Sequence, residues 1–189
     1  MTASHTPSLR HDRAAPAADV PGGDALAAAF LGDALAGLRQ LKALAERAVA
    51  QVDDGALGVV IDGEANSIAV LLRHITGNLR SRWTDFLATD GEKPDRRRDE
   101  EFEPSGADGD RARLIAEWDA AWAICLASIV ALRPGDLLRT VHIRGEPATV
   151  VEAIGRTTRH IAQHVGQVVL LAKHLAGDRW TTLSIPRHR

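Results

Sequence analysis

Three histidines in this chain have the residue type and spacing from which a metal site can be built. His160 and His164 are four residues apart in a segment with helical periodicity, so their imidazoles share one helix face, about 6 Å apart. His74 lies in a second segment with helical periodicity. Three neutral imidazole nitrogens around one divalent ion leave coordination positions open for water or substrate. If the three histidines meet, the sequence predicts a metal-binding protein, and catalysis is one use of such a metal.

Spacing alone leaves other interpretations of the histidines open. An H-x-x-x-H pair arises by chance, and a core histidine commonly donates a hydrogen bond to a backbone carbonyl. Imidazole ligands suit zinc, nickel, iron or copper, so the histidines do not select the metal. His142 is a candidate fourth or substitute ligand, whereas His174 lies too far along the helix axis from His160. We interpret the remaining histidines as solvated residues of the chain ends: His5, His11 and His188.

Two amide side chains are candidates for the pocket around such a site. Asn78 follows His74 by one helical turn, and Gln167 follows His164 by three residues. Each amide can therefore bind substrate or orient a metal ligand. An equally good interpretation is a polar group that is satisfied within the helix packing.

Arg82 lies one further turn along the segment that carries His74 and is also a candidate pocket residue. Its guanidinium can bind a carboxylate or a phosphate of an anionic substrate. We favour a structural ion pair for Arg82, for instance with Asp99 or Glu101. The charges in the run at residues 96–101 balance, which makes the run a poor nucleic-acid patch.

The composition is typical of a soluble, single-domain protein. The 189 residues carry a formal net charge of -2, and 45% of them are hydrophobic. Near-neutral charge gives no reason to expect a nucleic-acid partner. No apolar run approaches the roughly 18 residues of a membrane-spanning helix, and the N-terminus lacks the apolar stretch of a signal peptide. We therefore expect a cytoplasmic protein with no nucleic-acid partner and no membrane partner.

Hydrophobic periodicity predicts four helices that position these residues. We expect them at about residues 24–52, 66 or 67–88, 110–132 and 149–175. The second helix carries His74, and the fourth carries His160 and His164. On both helices the histidines lie on a stripe beside the apolar stripe, so two facing helices can bring all three together.

The segments between and before these helices complete the predicted domain. Residues 1–23 are rich in Ala, Pro, Ser and Gly, which predicts a flexible N-terminal tail before a single domain at residues 24–189. A long polar connection comes after the second helix. Residues 140–143 are compatible with a short strand and residues 144–147 with a turn, which predicts a small β insert before the fourth helix. The fold class that we predict is all-α, a four-helix bundle.

Several short motifs along residues 25–186 resemble one family pattern. The motifs are Asn66-Ser67-Ile68, His74-x-x-Gly77-Asn78, Ser81-Arg82-Trp83-Thr84-Asp85-Phe86-Leu87, Asp90-Gly91-Glu92-Lys93, Arg96-x-Arg98-Asp99-x-Glu101-Phe102, His160-x-x-x-His164-Val165-Gly166-Gln167, Ala172-Lys173-His174-Leu175 and Leu183-Ser184-Ile185-Pro186. On these residues the chain resembles the DinB-like, or YfiT-like, superfamily of candidate metalloenzymes. More closely, it looks like an uncharacterised branch of that superfamily, a domain of unknown function.

The resemblance implies a fold, a ligand set and a class of chemistry. It implies a four-helix bundle with up-down-down-up connectivity. It implies one divalent transition metal, such as zinc, nickel or iron, held by His74, His160 and His164. Better-understood relatives are S-transferases and isomerases that use low-molecular-weight thiols, in which the metal holds the cofactor thiol as a thiolate. That chemistry is physically reasonable because a divalent ion deprotonates a coordinating thiol.

Three functions therefore stay open at the level of sequence. The first is a thiol-dependent S-transferase that acts on a small-molecule substrate through a metal-activated thiolate. The second is a non-catalytic metal-binding or stress-related interaction protein, suggested by the lack of an obvious general base or nucleophile near the histidines. The third is a metal-dependent hydrolase in which bound water attacks the substrate. A homodimer is expected by analogy with the superfamily.

Overall fold

The computed structural model describes residues 22–185, and in that range the chain is mostly helical. It contains five α-helices and one two-stranded antiparallel sheet, which in chain order are α1 (Gly23–Val49), α2 (Asp54–Leu57), α3 (Ile68–Trp83), α4 (Arg111–Val130), β1 (Thr140–Ile143), β2 (Glu146–Thr149) and α5 (Val150–Ala176). Short 3₁₀ turns lie at Asp99–Phe102, Pro134–Asp136 and Gly177–Arg179. The predicted tail at residues 1–23 lies outside the described residues except for Gly22 and Gly23, at the start of α1.

The two helices that carry the histidines begin at capping side chains. Ser67 precedes α3, and its Oγ accepts a hydrogen bond of 3.2 Å from the backbone N–H of Val70. Thr149 precedes α5 and forms a capping box with Glu152, in which each side chain accepts from the other residue's backbone N–H. Such caps satisfy amide groups that the helix itself leaves free. Both starts agree with the positions that the sequence predicts.

The end of α3 differs from the prediction, because the helix stops at Trp83 and not near residue 88. The backbone of Thr84 is extended, and its hydroxyl donates to the carbonyl of Arg80 at 2.7 Å. Asp85 then takes a left-handed conformation with φ 48°. Phe86 still reaches the core, where its ring centroid lies 4.7 Å from that of Trp83. Apolar spacing therefore continues past the point at which the backbone leaves the helix.

A second difference concerns the segment after the first helix, which the sequence predicts to end at about residue 52 and which ends at Val49. Asp53 instead caps the one-turn helix α2, and its Oδ1 accepts from the N–H of Ala56 at 2.9 Å. Asp is a favoured N-cap residue, and it is equally compatible with a loop that follows the end of a helix. Asp53 alone therefore does not show that a new helix starts. The sequence therefore places the end of the first helix three residues too late and does not reveal the short helix beyond it.

Four of the helices enclose the core. α1 packs against α4 and α5, and α3 packs against the same two helices. Three tryptophans are among the largest fully buried side chains, namely Trp83, Trp118 and Trp122. Within residues 22–185, none of the helices combines the length and the apolar character that a membrane-spanning segment needs.

Hydrogen bonds join the ends of these helices. After α1, the amide of Gln51 exchanges two hydrogen bonds with the backbone of Thr181, which lies beyond the end of α5. Arg111, the first residue of α4, donates to two carbonyl groups at the end of α1. Ser128, near the end of α4, donates to the carbonyl of Trp83 at the end of α3. These contacts fix which helix ends are neighbours.

The β hairpin is attached to the loop that connects α3 to α4. Arg144 and Gly145 form a two-residue turn with φ values of 59° and 77°, so the turn is shorter than predicted and β2 begins at Glu146. Positive φ at both positions is the geometry of the hairpin turns whose twist suits antiparallel strands. The carboxylate of Asp90 accepts the N–H groups of Glu92, Arg144 and Gly145 at 2.7–2.8 Å. The hairpin and the loop therefore form one rim beside α3 and α5.

Candidate metal centre

α3 and α5 bring together the three histidines that the sequence singles out. The Nε2 atom of His160 lies 3.0 Å from Nε2 of His74 and 3.2 Å from Nε2 of His164. One nitrogen from each of the three rings lies within 4.8 Å of the other two, an arrangement that can hold a metal ion. His74 is buried, and the two histidines of α5 are partly buried.

His74 is held from behind by Glu101, a residue that the sequence analysis did not assign to the site. Nδ1 of His74 lies 2.9 Å from Oε2 of Glu101. Arg96 donates two hydrogen bonds of 2.8 Å to the same carboxylate. Burial alone would raise the pKa of Glu101, but the hydrogen bonds from His74 and Arg96 outweigh it and keep the pKa below its ordinary value of 4.5. Phe102 covers the His74 ring, with the two centroids 4.7 Å apart.

Gly77 makes room for this carboxylate. It lies in α3, three residues after His74, and a Cβ atom at this position would overlap with Oε1 of Glu101. Any larger residue would therefore displace Glu101 or move the loop that carries it. A glycine within a helix costs roughly 0.5–1 kcal/mol relative to alanine, so its presence here is explained by the close approach.

His164 is held by a residue of its own helix. Its Nδ1 lies 2.7 Å from Oε1 of Gln167, which is exposed. Of the roles that the sequence leaves open for Gln167, this contact is compatible with orienting the ring of His164. Gln167 does not line the cavity beside the histidines.

These outer contacts determine which ring nitrogens are free. A carboxylate and an amide oxygen accept hydrogen bonds, so the protons of His74 and His164 are assigned to Nδ1. Each Nε2 then carries a lone pair that points towards His160. A proton on Nε2 of His160 can be donated to only one of them, and Nδ1 of His160 is buried with no partner among the described residues. The donor set therefore fits a cation at the centre better than a closed hydrogen-bond network.

The pKa values of both clustered histidines of α5 are lowered. Burial, followed by the neighbouring His164, His74 and arginine side chains, lowers the pKa of His160 to about 4. Burial also lowers the pKa of His164, although its contact with Gln167 opposes the shift. Both rings are consequently neutral at pH 7, and a neutral imidazole is the form that binds metals.

A cavity of about 180 Å³ opens beside the cluster. It is lined by His74, Asn78, Arg82, Arg96, Arg98, Arg144, Arg156, Thr157 and His160. Asn78 and Arg82 therefore lie in the pocket, as candidate pocket residues should. The favoured ion pair of Arg82 with Asp99 or Glu101 is wrong, because Glu101 pairs with Arg96 and Asp99 lies 3.2 Å from Arg98. The 3₁₀ turn at Asp99–Phe102 presents its acidic groups to those arginines instead.

The other histidines do not join the cluster. His142 lies on β1 with its side chain exposed, and it is not part of the group that can hold an ion, so its role as a substitute ligand finds no support. His174 is exposed near the end of α5, in agreement with its expected distance. His5, His11 and His188 lie outside the described residues.

Comparison with known proteins places the chain in a family but gives it no activity. The family model described as protein of unknown function (DUF1572) matches residues 25–189, which is most of the chain. No curated protein and no solved structure gave a match. The matched range includes all three clustered histidines, Glu101 and the arginines of the cavity. The chain therefore belongs to the DUF1572 family of proteins of unknown function.

Proposed function

We propose that the chain is a divalent-metal-binding protein of the DinB-like superfamily and that it acts as a thiol-dependent S-transferase. His74, His160 and His164 are the proposed ligands, each through Nε2. The observation that carries this proposal is the convergence of the three Nε2 atoms while the outer nitrogens of His74 and His164 are bound by Glu101 and Gln167. Metal-bound histidines almost always donate their second N–H in this manner.

The spacing of the ligand atoms supports a first-row transition metal. In a tetrahedral site with bonds of 2.0–2.1 Å, the ligand atoms are separated by about 3.3 Å. The measured Nε2 separations of 3.0 and 3.2 Å are close to that value. Zinc, nickel and iron all accept imidazole nitrogen, so the proposal covers the three.

The contacts between helix ends support the up-down-down-up connectivity of the superfamily. The end of α1 lies beside the residues just beyond α5, so these helices run in the same direction. The start of α4 lies at the end of α1, so α4 runs in the opposite direction. The ends of α3 and α4 meet through Ser128 and Trp83, so α3 runs with α4.

A divalent ion at this centre supplies Lewis acidity, which lowers the pKa of a thiol or a water molecule that binds to it. The chain's own residues position the ligands and line the pocket. The residues that line the described cavity include no Cys, Ser, Asp or Glu, and their one hydroxyl group is that of Thr157. Cys125 is buried in α4, and burial raises the pKa of its thiol. These features favour a nucleophile brought in as a low-molecular-weight thiol over one supplied by a side chain.

The proposal is tested first by the metal content of protein purified without a histidine tag. We expect one transition metal per chain, and we expect His160→Ala to lose it. His174→Ala is the matched control, because it removes an exposed histidine of the same helix and should leave the metal content unchanged. Metal content that is equal in wild type and His160→Ala would contradict the proposed ligand set.

The second test separates a transferase from a binding protein. The metal-loaded protein is incubated with a chromogenic electrophile and each of several low-molecular-weight thiols. We expect thiol-dependent turnover that disappears in His74→Ala. Full metal occupancy without turnover for any thiol would favour the non-catalytic alternative, and turnover of an ester or amide without thiol would favour a hydrolase. Sedimentation of the same sample tests the expected homodimer.

A further inference from the structure

The cavity beside the histidines is lined by five arginines that come from four parts of the chain. They are Arg82 of α3, Arg96 and Arg98 of the loop after α3, Arg144 of the hairpin turn and Arg156 of α5. The remaining lining residues are neutral or imidazole side chains. Guanidinium groups repel one another, and such a concentration of like charge raises the free energy of the folded protein unless anions compensate it.

Three of the five guanidinium groups have acidic partners within the protein. Arg96 binds Glu101 at 2.8 Å and lies 3.5 Å from Glu92. Arg144 binds the same Glu92 at 3.0 Å. Arg98 lies 3.2 Å from an exposed aspartate. These pairs leave two of the five arginines without an ion-pair partner.

Those two arginines are Arg82, which is buried, and Arg156, which is exposed. Within residues 22–185, no carboxylate lies within 4 Å of either guanidinium group. Arg82 is only 7% exposed, and its Nε is buried with no hydrogen-bond partner among the described residues. Burial and the charge of Arg156 lower the pKa of Arg82 to about 10, although the charge of Glu92 opposes the shift, and Arg82 remains a cation at pH 7. A buried cation without a partner is costly, which favours a ligand that supplies one.

The order of residues along the two helices places this charge beside the histidines. On α3, His74, Asn78 and Arg82 succeed one another at intervals of four residues, about one turn each. Helical side chains lean towards the N-terminus of their helix, so Arg82 leans towards His74. On α5, Arg156 and Thr157 lie one turn before His160. Along the helices, Asn78 lies between Arg82 and His74, and Thr157 lies between Arg156 and His160.

We propose that Arg82 and Arg156 bind a small dianion, a phosphate monoester or a dicarboxylate, as the anionic part of the molecule that reaches the histidine cluster. Two guanidinium groups that lack an ion-pair partner match the two negative charges of a dianion. The planar guanidinium group binds carboxylate or phosphate oxygens in pairs. The cavity volume corresponds to about six water molecules, which suits a compact molecule. As a statement about substrate class this rests on the proposed function, whereas anion binding itself does not.

Calorimetric titration of the metal-free protein with inorganic phosphate and with malonate, at constant ionic strength, tests the proposal. We expect saturable binding of at least one of them, and the tighter of the two identifies the class of anion. Arg82→Gln and Arg156→Gln should each weaken it at least tenfold. Arg80→Gln is the matched control, since it removes an exposed charge of the same helix outside this cavity and should change affinity by less than twofold.

Two results would overturn the proposal: no saturable binding of either dianion, or equal affinity in Arg82→Gln, Arg156→Gln and wild type. Arg156 is exposed, so its variant remains informative if loss of Arg82 impairs folding. The metal content of the same variants separates this proposal from the proposed function. We expect Arg82→Gln and Arg156→Gln to keep the metal and His160→Ala to keep anion binding, so either property can fail alone.

Discussion

The two outer sides of the histidine cluster are built differently. On the α3 side, His74 is buried and held by Glu101, which lies 27 residues further along the chain and is itself bound twice by Arg96. On the α5 side, His164 is partly exposed and held by Gln167, an exposed residue three positions later on the same helix. One side thus depends on a charged, long-range network and the other on a neutral, local contact.

This difference teaches where the centre is most sensitive to substitution. A charge-assisted, buried hydrogen bond is roughly twice as strong as a neutral one. Its loss also leaves Arg96 without its main partner. On the exposed side, water can replace the amide of Gln167 with little cost. Substitutions on the two sides should therefore have unequal effects on metal affinity.

The largest effect is expected for Glu101→Gln. An amide cannot satisfy Arg96 and His74 as the carboxylate does, so we expect metal affinity to fall by about 10- to 100-fold. Chelator competition with zinc measures the change. Glu100→Gln, which removes the same charge at an exposed neighbouring position, should leave affinity unaltered. Equal metal affinities for Glu101→Gln and wild type would contradict the prediction that the contacts on the α3 side contribute most to metal binding.

Gly77→Ala tests the same side without changing any charge. The new Cβ would overlap with Oε1 of Glu101 and push the carboxylate away from His74. We expect metal affinity to fall by about tenfold, within the range for such supporting residues. Gly166→Ala is the control, because a Cβ there meets no atom within 4 Å. That control should stabilise the protein by roughly 0.5–1 kcal/mol, as seen in thermal unfolding.

Acid should affect the α5 side first. The folded protein takes up a proton on His160 only near pH 4, whereas the unfolded chain does so near 6.5. The unfolded state therefore binds more protons in this window, and the metal-free protein loses part of its stability as pH falls from about 6.5 to 4.

We expect the free energy of unfolding to be about 1 kcal/mol lower at pH 5 than at pH 7, allowing for the partial exposure of the ring. Urea titrations at the two pH values measure it, and His160→Gln should reduce the difference. The pKa of Glu101 is lowered, so the stability that this carboxylate contributes is lost mainly below its ordinary value of 4.5 and not between pH 7 and 5. An unchanged pH dependence in His160→Gln would show that other groups cause the loss.

The smallest effect is expected for Gln167→Ala. Water can accept the proton from Nδ1 of His164, so we expect metal affinity to fall by only about two- to threefold. The same chelator competition applies. A loss as large as that of Glu101→Gln would mean that the local contact matters as much as the long-range one, and the comparison would fail.

The α5 side could be predicted from the sequence because its parts share one helix. The period of 3.6 residues places Gln167 next to His164 without any knowledge of the fold. Glu101 has no such relation to His74, since a loop of irregular conformation lies between them. Gly77 within a helical segment was the available local signal, because an interior glycine indicates a close approach of another group.

The same limit explains the other differences. Capping residues predicted the starts of α3 and α5, because a cap is a local interaction. The end of α3 depends on Thr84 and Asp85 turning away from the helix while Phe86 stays buried, which apolar spacing does not reveal. The favoured ion pair of Arg82 was wrong because the loop folds so that Arg96, and not Arg82, pairs with Glu101. Such competition between partners is decided only by tertiary structure.

The left-handed backbone conformation of Arg144 affects which substitutions would stabilise the protein at this position. A residue with a branched or long side chain pays about 1 kcal/mol or more to adopt this conformation, whereas Asn or Gly suits a turn of this kind. Arg144→Asn should therefore raise the melting temperature while removing one cation from the rim of the cavity. A single substitution at position 144 should thus raise stability and at the same time free Glu92 from its ion pair with Arg144.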